Sequence, residues 1–254
     1  MPPLKDWKKM TSARIGLSRS GGSLSTKDLL QFRLDHARAK DAVLLEPKFG
    51  ELLTELDHIG KKYGIEAVPA ESRAKDRGEY LLRPDLGRSL SEPSHGELQG
   101  RKGSYDLVLV CADGLSAKAI DSNLLPFLES LLPKLKDWKL GPLVLTRLGR
   151  VAIGDEIGQC LGAKAVVVII GERPGLSSAD SLGVYLTYDP TVGKTDESRN
   201  CVSNIRPGGL EFEAASAKTH YLLEEALKRK LSGVELKDEM SPSFFIKGET
   251  KQLD

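Results

Sequence analysis

The chain has 254 residues, 40% of them hydrophobic, with 37 basic against 36 acidic side chains and a net charge of +1. That suffices for one large or two modest domains with a real core. The balanced charge, with no basic stripe interleaved with aromatics, excludes the usual nucleic-acid signature, and apolar runs of about six or seven residues fall far short of a membrane span.

Residues 1–25 read as irregular. The opening MPPLKDWKKM has no signal-peptide core. The run Arg14-Ile-Gly-Leu-Ser-Arg-Ser-Gly-Gly-Ser23 is rich in glycine, serine and arginine, as a phosphate cradle would be. Aligned on Gly16 and Gly21, however, a P-loop wants lysine where Gly22 stands, so that reading is rejected. Ser25, with Asp28 three residues on, predicts a capped helix running through Leu29, Phe32, His36 and Val43. A second helix spans Lys48 to Tyr63, where Phe49, Leu52, Leu56 and Ile59 fall at helical spacing and Gly64 ends it. Ile65 to Ala70 and Glu79 to Leu82 read as short strands, and Arg83-Pro-Asp-Leu-Gly-Arg88 as a turn. Residues 89–104 are the most linker-like, which divides the chain into a mainly helical region, 1–95, and an α/β domain, 96–254.

The second half alternates strand and helix. Tyr105 to Cys111 is a buried strand, followed by Asp113-Gly-Leu-Ser116 and a helix to about Leu132. Pro142 to Thr146 is the next strand. Gly149 and Arg150 then open a short helix with Ile153, Ile157 and Leu161 on one face, closed by Gly162 as a left-handed cap. Ala165 to Ile170 is apolar on both parities, as in a strand covered on both faces. The chain breaks there at Gly171-Glu-Arg-Pro-Gly175. Gly183 to Tyr188 gives another strand, Asp189 to Gly209 a polar loop, and Leu210 to Leu231 a long helix. This order predicts an α/β fold with a Rossmann-like, mostly parallel sheet. Asp113, Arg147 to Arg150 and Glu172 to Pro174 then end three strands on one edge, where ligands gather in open α/β sheets.

Several chemical readings compete. Gly114-Leu-Ser116 after a strand is similar to a nucleophile elbow, with Asp180 and His220 in the right chain order for a stand-alone α/β serine hydrolase. Against it, alanine replaces the second glycine and His220 falls inside a helix; Asp113 is expected to cap the next helix, with Ser116 in its first turn. His36 beside Asp35 reads as a partly buried structural histidine. Glu172 and Arg173 can pair with each other or with a partner. Cys111, Cys160 and Cys201 are odd in number and form no CxxC, which fits a reducing cytoplasm. Cys201 has neither base nor metal partner beside it, so nucleophilic chemistry is not supported.

Taken together, the segments resemble the small (light) subunit of ethanolamine ammonia-lyase. The matching stretches include Thr11-Ser-Ala-Arg-Ile-Gly16, Asp35-His-Ala-Arg-Ala-Lys-Asp-Ala-Val43, Arg83-Pro-Asp-Leu-Gly-Arg88 and Asp113-Gly-Leu-Ser-Ala117. They continue through Gly149-Arg-Val151, Leu161-Gly-Ala-Lys164, Gly171-Glu-Arg-Pro-Gly-Leu176 and Cys201-Val-Ser-Asn-Ile205, covering about residues 10–235. The resemblance implies a lyase subunit that works with a catalytic large (heavy) subunit, a TIM barrel, and binds adenosylcobalamin between the two chains. It further implies cofactor contacts at Val151, Glu172 and Cys201, no catalytic residue and no metal ligand on this chain, and a higher hetero-oligomer. The resemblance also implies that cobalamin keeps its own base on cobalt, and the absence of the D-x-H-x-x-G pattern of base-off proteins agrees with it. Some family members reach a bacterial microcompartment through a long N-terminal extension; only about ten residues precede the match here. The tail from Glu235, with Phe244-Phe-Ile246, lies outside the resemblance.

Overall fold

The computed structural model describes residues 14–240. Thr11 to Ala13, Phe244-Phe-Ile246 and the rest of both ends lie outside the described residues. A small hairpin, β1 (Arg19–Ser20) and β2 (Ser23–Leu24), leads into helix α1 (Thr26–Leu44). Ser25 caps that helix as expected: its hydroxyl accepts from the Asp28 amide at 3.2 Å and donates to the Asp28 carboxylate at 2.8 Å.

After helix α2 (Phe49–Lys61), one six-stranded sheet collects β3 (Ala67–Glu71), β4 (Tyr105–Ala112), β5 (Leu140–Arg147), β6 (Ala163–Gly171), β7 (Leu182–Tyr188) and β8 (Arg199–Ile205). Their spatial order is β3-β5-β4-β6-β7-β8. The first three ladders are parallel and the last two antiparallel, so the sheet is mostly parallel with an antiparallel flank. The period-two geometry of a strand divides the core into two layers. Leu107, Leu109 and Cys111 face α2, α5 (Ala117–Leu131) and α7 (Phe212–Arg229), whereas Val108, Val110 and Ala112 face α4 (Glu92–Gln99) and α6 (Ile153–Leu161). Strand β6 alternates in the same way, which is why Ala165 to Ile170 is apolar throughout.

Helix α6 has only nine residues, too few to be stable alone. Ile153, Ile157 and Leu161 are fully buried, each contributing roughly 1.5–3 kcal/mol by removal from water. Gly154 lets the helix lie hard on the sheet, since a Cβ there would stand 2.3 Å from the Val168 side chain. Gly162 closes the helix at φ +73°, as expected.

Three local readings are corrected. Glu79 to Leu82 is not a strand but the end of helix α3 (Arg77–Leu82), because Asp76 accepts from the Glu79 amide at 2.8 Å and starts a helix. The linker-like stretch 89–104 holds α4, capped by Ser91 and anchored by the fully buried Leu98. β3 precedes this stretch and pairs with β5, so the sheet draws on residues from both sides of position 95. The polar loop of 189–209 contains β8, an edge strand in which only Val202 and Ile205 are buried apolar residues.

Candidate functional site

The three predicted strand ends do meet. β4, its neighbour β5 and its other neighbour β6 are parallel, so Asp113, Arg147 to Arg150 and Glu172 to Pro174 share one edge. The chain leaves β4 through α5 on one face of the sheet and leaves β5 through α6 on the other. Such a reversal opens a crevice beyond the carboxyl ends of the strands. An open cleft of about 390 Å³ lies there, lined by Leu115, Arg150, Val151, Glu172 and Arg173, with Tyr80 and Tyr185 at its sides.

Two glycines bring the ends of β4 and β6 together beside it. Gly114 has φ +57°, and a Cβ on it would stand 2.3 Å from the Gly171 carbonyl oxygen. A Cβ on Gly171 would in turn lie 2.2 Å from the Ser116 carbonyl oxygen. The backbones after β4 and β6 therefore touch, joined by the Leu115 amide donating to Gly171 at 2.9 Å. Beside them Leu148 takes φ +55°, costly for a leucine, and its side chain is buried with Ala74 and Tyr80.

Asp113 holds this turn. The Gly149 amide donates to its Oδ1 at 3.3 Å and Arg77 Nη1 to its Oδ2 at 3.2 Å. Arg77 also donates to the Gly114 carbonyl at 2.7 Å. Burial pushes the Asp113 carboxyl up to about 6, against the opposing pull of Arg77 and the backbone amides. Tyr80 is buried between two guanidiniums, with Arg150 over its ring at 4.1 Å and Arg77 at 5.0 Å, and its hydroxyl donates to the Gly149 carbonyl. Asp113 is thus not the expected helix cap. Ser116 is, accepting from the Ala119 amide at 3.2 Å.

Val151 and Glu172, both half-buried, line the cleft together. The Ser203 hydroxyl donates to Glu172 Oε1 at 2.5 Å and the Asn204 amide to Oε2 at 3.2 Å, so strand β8 orients the carboxylate. Cys201 is not on the cleft wall. It pairs in register with Tyr185, which is, so the two side chains share one face of the sheet. Cys201 is exposed as a residue, yet partial burial of its thiol, reinforced by the Glu172 charge, holds its pKa above the ordinary value. A protonated thiol suits a contact rather than a nucleophile. Tyr80, Leu115 and Tyr185 went unrecognised in the sequence as cleft residues. Tyr80 stood in a mistaken strand, and Tyr185 carried only the alternation of β7.

The ethanolamine ammonia-lyase light-chain (EutC) family model matches residues 2–237. The chain belongs to that family. Ethanolamine ammonia-lyase small subunits from Pseudomonas fluorescens strain Pf0-1 and Xanthomonas campestris pv. campestris strain ATCC 33913 are each 50% identical to it. The first aligns over 243 residues, 93% of this chain and 87% of the relative; the second over 247 residues, 94% and 89%. The Azotobacter vinelandii small subunit is 47% identical over 243 residues. Membership in the ethanolamine ammonia-lyase family leaves the hydrolase alternative without support, and the geometry gives the reason. The Ser116 hydroxyl is fully buried and donates to the Ala179 carbonyl at 2.8 Å. Asp180 faces Lys118 at 4.0 Å, while His220 lies on α7 beside Trp138 and Glu224, so no triad forms. Among the described residues no helix is long and apolar enough to cross a membrane.

Proposed function

We propose that this chain is the small subunit of an adenosylcobalamin-dependent ethanolamine ammonia-lyase, which converts ethanolamine to acetaldehyde and ammonia. In this reading it is an obligatory partner of the catalytic large subunit, and cobalamin sits at the interface against Val151, Glu172 and Cys201. Beyond family membership, the observation that carries it is the convergence of Val151 and Glu172 in one open cleft, with Cys201 one side chain away.

The residues fit the group. A corrin rim carries amide side chains, whose N–H groups want acceptors; Glu172 is fixed by Ser203 and Asn204 with lone pairs to spare. Val151, Leu115 and Ile170 supply apolar cover for ring methyls. A cleft of about 390 Å³ is at the low end of small-molecule sites, and it is open. It covers one side of so large a cofactor, and a companion chain must close the other. The cofactor supplies the radical chemistry when bound, while this chain places it and excludes water from one side. Assembly into a higher hetero-oligomer, in the cytoplasm or inside a bacterial microcompartment, belongs to the same reading.

The test is cobalamin affinity of the complex copurified with the large subunit. Loss of a charged acceptor is worth about 1.5–3 kcal/mol, so Glu172→Ala is expected to weaken cobalamin binding roughly 10- to 100-fold without unfolding the chain. Unchanged affinity in both Glu172→Ala and Glu172→Gln would remove this residue from the site. Lyase activity from this chain alone would contradict the assignment.

A further inference from the structure

The turn Arg83-Pro-Asp-Leu-Gly-Arg88 lines no part of the cleft, yet it reaches the segment that carries Val151. Its Gly87 carbonyl accepts from the Arg150 amide at 2.7 Å. The other end of that same peptide group, the Gly149 carbonyl, accepts from the Tyr80 hydroxyl at 3.1 Å. The peptide joining Gly149 to Arg150 is thus gripped at both of its polar ends, and the Gly149 amide before it donates to Asp113 at 3.3 Å. These grips matter because helix α6 begins without a side-chain cap, so no cap of its own fixes the residues leading into it.

Tyr80 is fully buried on α3, a helix of only six residues. Its ring belongs to a small apolar cluster with Ala74 and Leu148, apart from the two layers that cover the sheet. Arg150 lies over that ring at 4.1 Å, and its Nη2 donates to the Tyr80 carbonyl at 3.0 Å, so the side chain as well as the backbone of Arg150 is tied to this residue. Gly87 closes the brace: a Cβ there would stand 2.8 Å from Arg150 Cγ and 2.9 Å from the Tyr80 ring. Phenylalanine would fill the apolar cluster as well as tyrosine does. What the hydroxyl adds is a donor for the carbonyl of the buried Gly149, a group that is costly to leave unpaired.

We propose that Tyr80 is a positioning residue for the cofactor: its hydroxyl sets the plane of the Gly149–Arg150 peptide and so aims Val151 at the corrin. It acts through the backbone and not by contact, since Tyr80 has no exposed surface of its own. The proposal rests on the reading that cobalamin lies against Val151. Once the carbonyl is released, the peptide plane can turn and re-aim the Val151 side chain, and binding then bears the cost of restoring it. The same brace holds the Arg150 side chain at the cleft wall.

The experiment compares the wild type with Tyr80→Phe in the complex copurified with the large subunit. Equilibrium dialysis with cyanocobalamin gives Kd, and turnover at saturating adenosylcobalamin gives kcat. Tyr80→Phe is expected to raise Kd at least about threefold, the scale of one neutral hydrogen bond that binding must re-form, with kcat held within about twofold. Thr219→Val also removes a buried hydroxyl, one that donates to the Ala215 carbonyl within α7 in the opposite helical layer, and should leave Kd unchanged. An unchanged Kd in Tyr80→Phe would overturn the proposal, whether or not kcat falls, because a purely structural loss lowers the amount of active complex and not its affinity. An equal rise in Thr219→Val would overturn it too. The two readings fail separately. Weakened binding in Glu172→Ala with unchanged Kd in Tyr80→Phe would sink the positioning role and keep the cofactor contact; the converse result would remove Glu172 from the site and keep Tyr80.

Discussion

Strand β8 carries Cys201, Ser203 and Asn204 beside Glu172, and its first residue ties it to helix α6. Arg199 donates to both oxygens of Asp155, at 2.6 and 2.8 Å, with both side chains no more than 3% exposed. It also donates to the Thr187 hydroxyl at 3.0 Å and the Lys194 carbonyl at 3.0 Å. Arg199→Met keeps the bulk of the stem but leaves the Asp155 carboxylate buried and alone, which costs about 3–5 kcal/mol. That is a large part of the roughly 5–15 kcal/mol stabilising a typical domain. Removing both charges, Asp155→Leu with Arg199→Met, leaves only a hydroxyl and a carbonyl to satisfy, so the double variant should lose about 1–2 kcal/mol. The cycle therefore predicts non-additivity of at least about 2 kcal/mol, read from urea unfolding of the four proteins by circular dichroism. If Arg199→Met costs under about 1 kcal/mol, or the two single losses simply add, the pair is not the clamp described.

Asp113 gives a pH prediction. Its folded-state pKa of about 6 lies above the ordinary 3.8, so the folded chain holds the proton more tightly and stability falls as pH rises from about 4 to 6, then levels off. Asp113→Asn cannot titrate; the stability of the wild type relative to this variant should fall by something on the order of 3 kcal/mol over that window, and a flat difference would refute it. Gly171→Ala, forced within 2.2 Å of a backbone oxygen, should cost more than about 2 kcal/mol, whereas Gly96→Ala, facing open space in α4, should gain up to about 1 kcal/mol. Equal effects in thermal melts would discredit the close-approach argument. A fluorophosphonate should leave Ser116 unlabelled, since its hydroxyl is buried and already donating; stoichiometric labelling there would revive the hydrolase.

What could be read in the chain was whatever depended on near neighbours. Ala165 to Ile170 announces a strand covered on both faces because every residue is apolar, and Ser25 announces a helix because its cap partner is three residues away. The shared edge followed from strand order alone, which put Glu172 beside Arg147 to Arg150; Val151 was legible through the resemblance. Hidden elements were those with only one or two buried apolar residues: α4 rests on Leu98, and β8 on Val202 and Ile205 among polar side chains. Hidden too was the Arg77–Asp113 pair, since nothing local links residues 36 positions apart. Cys201 was legible only through resemblance; its contact with Tyr185 arises from the register of two antiparallel strands.

A structure of the two-subunit complex with cobalamin bound measures directly which chain touches the cofactor. It should show corrin amides within hydrogen-bonding distance of Glu172, Val151 against the ring, and Cys201 at the rim. A corrin enclosed wholly by the large subunit, with those three side chains remote from it, would contradict the account.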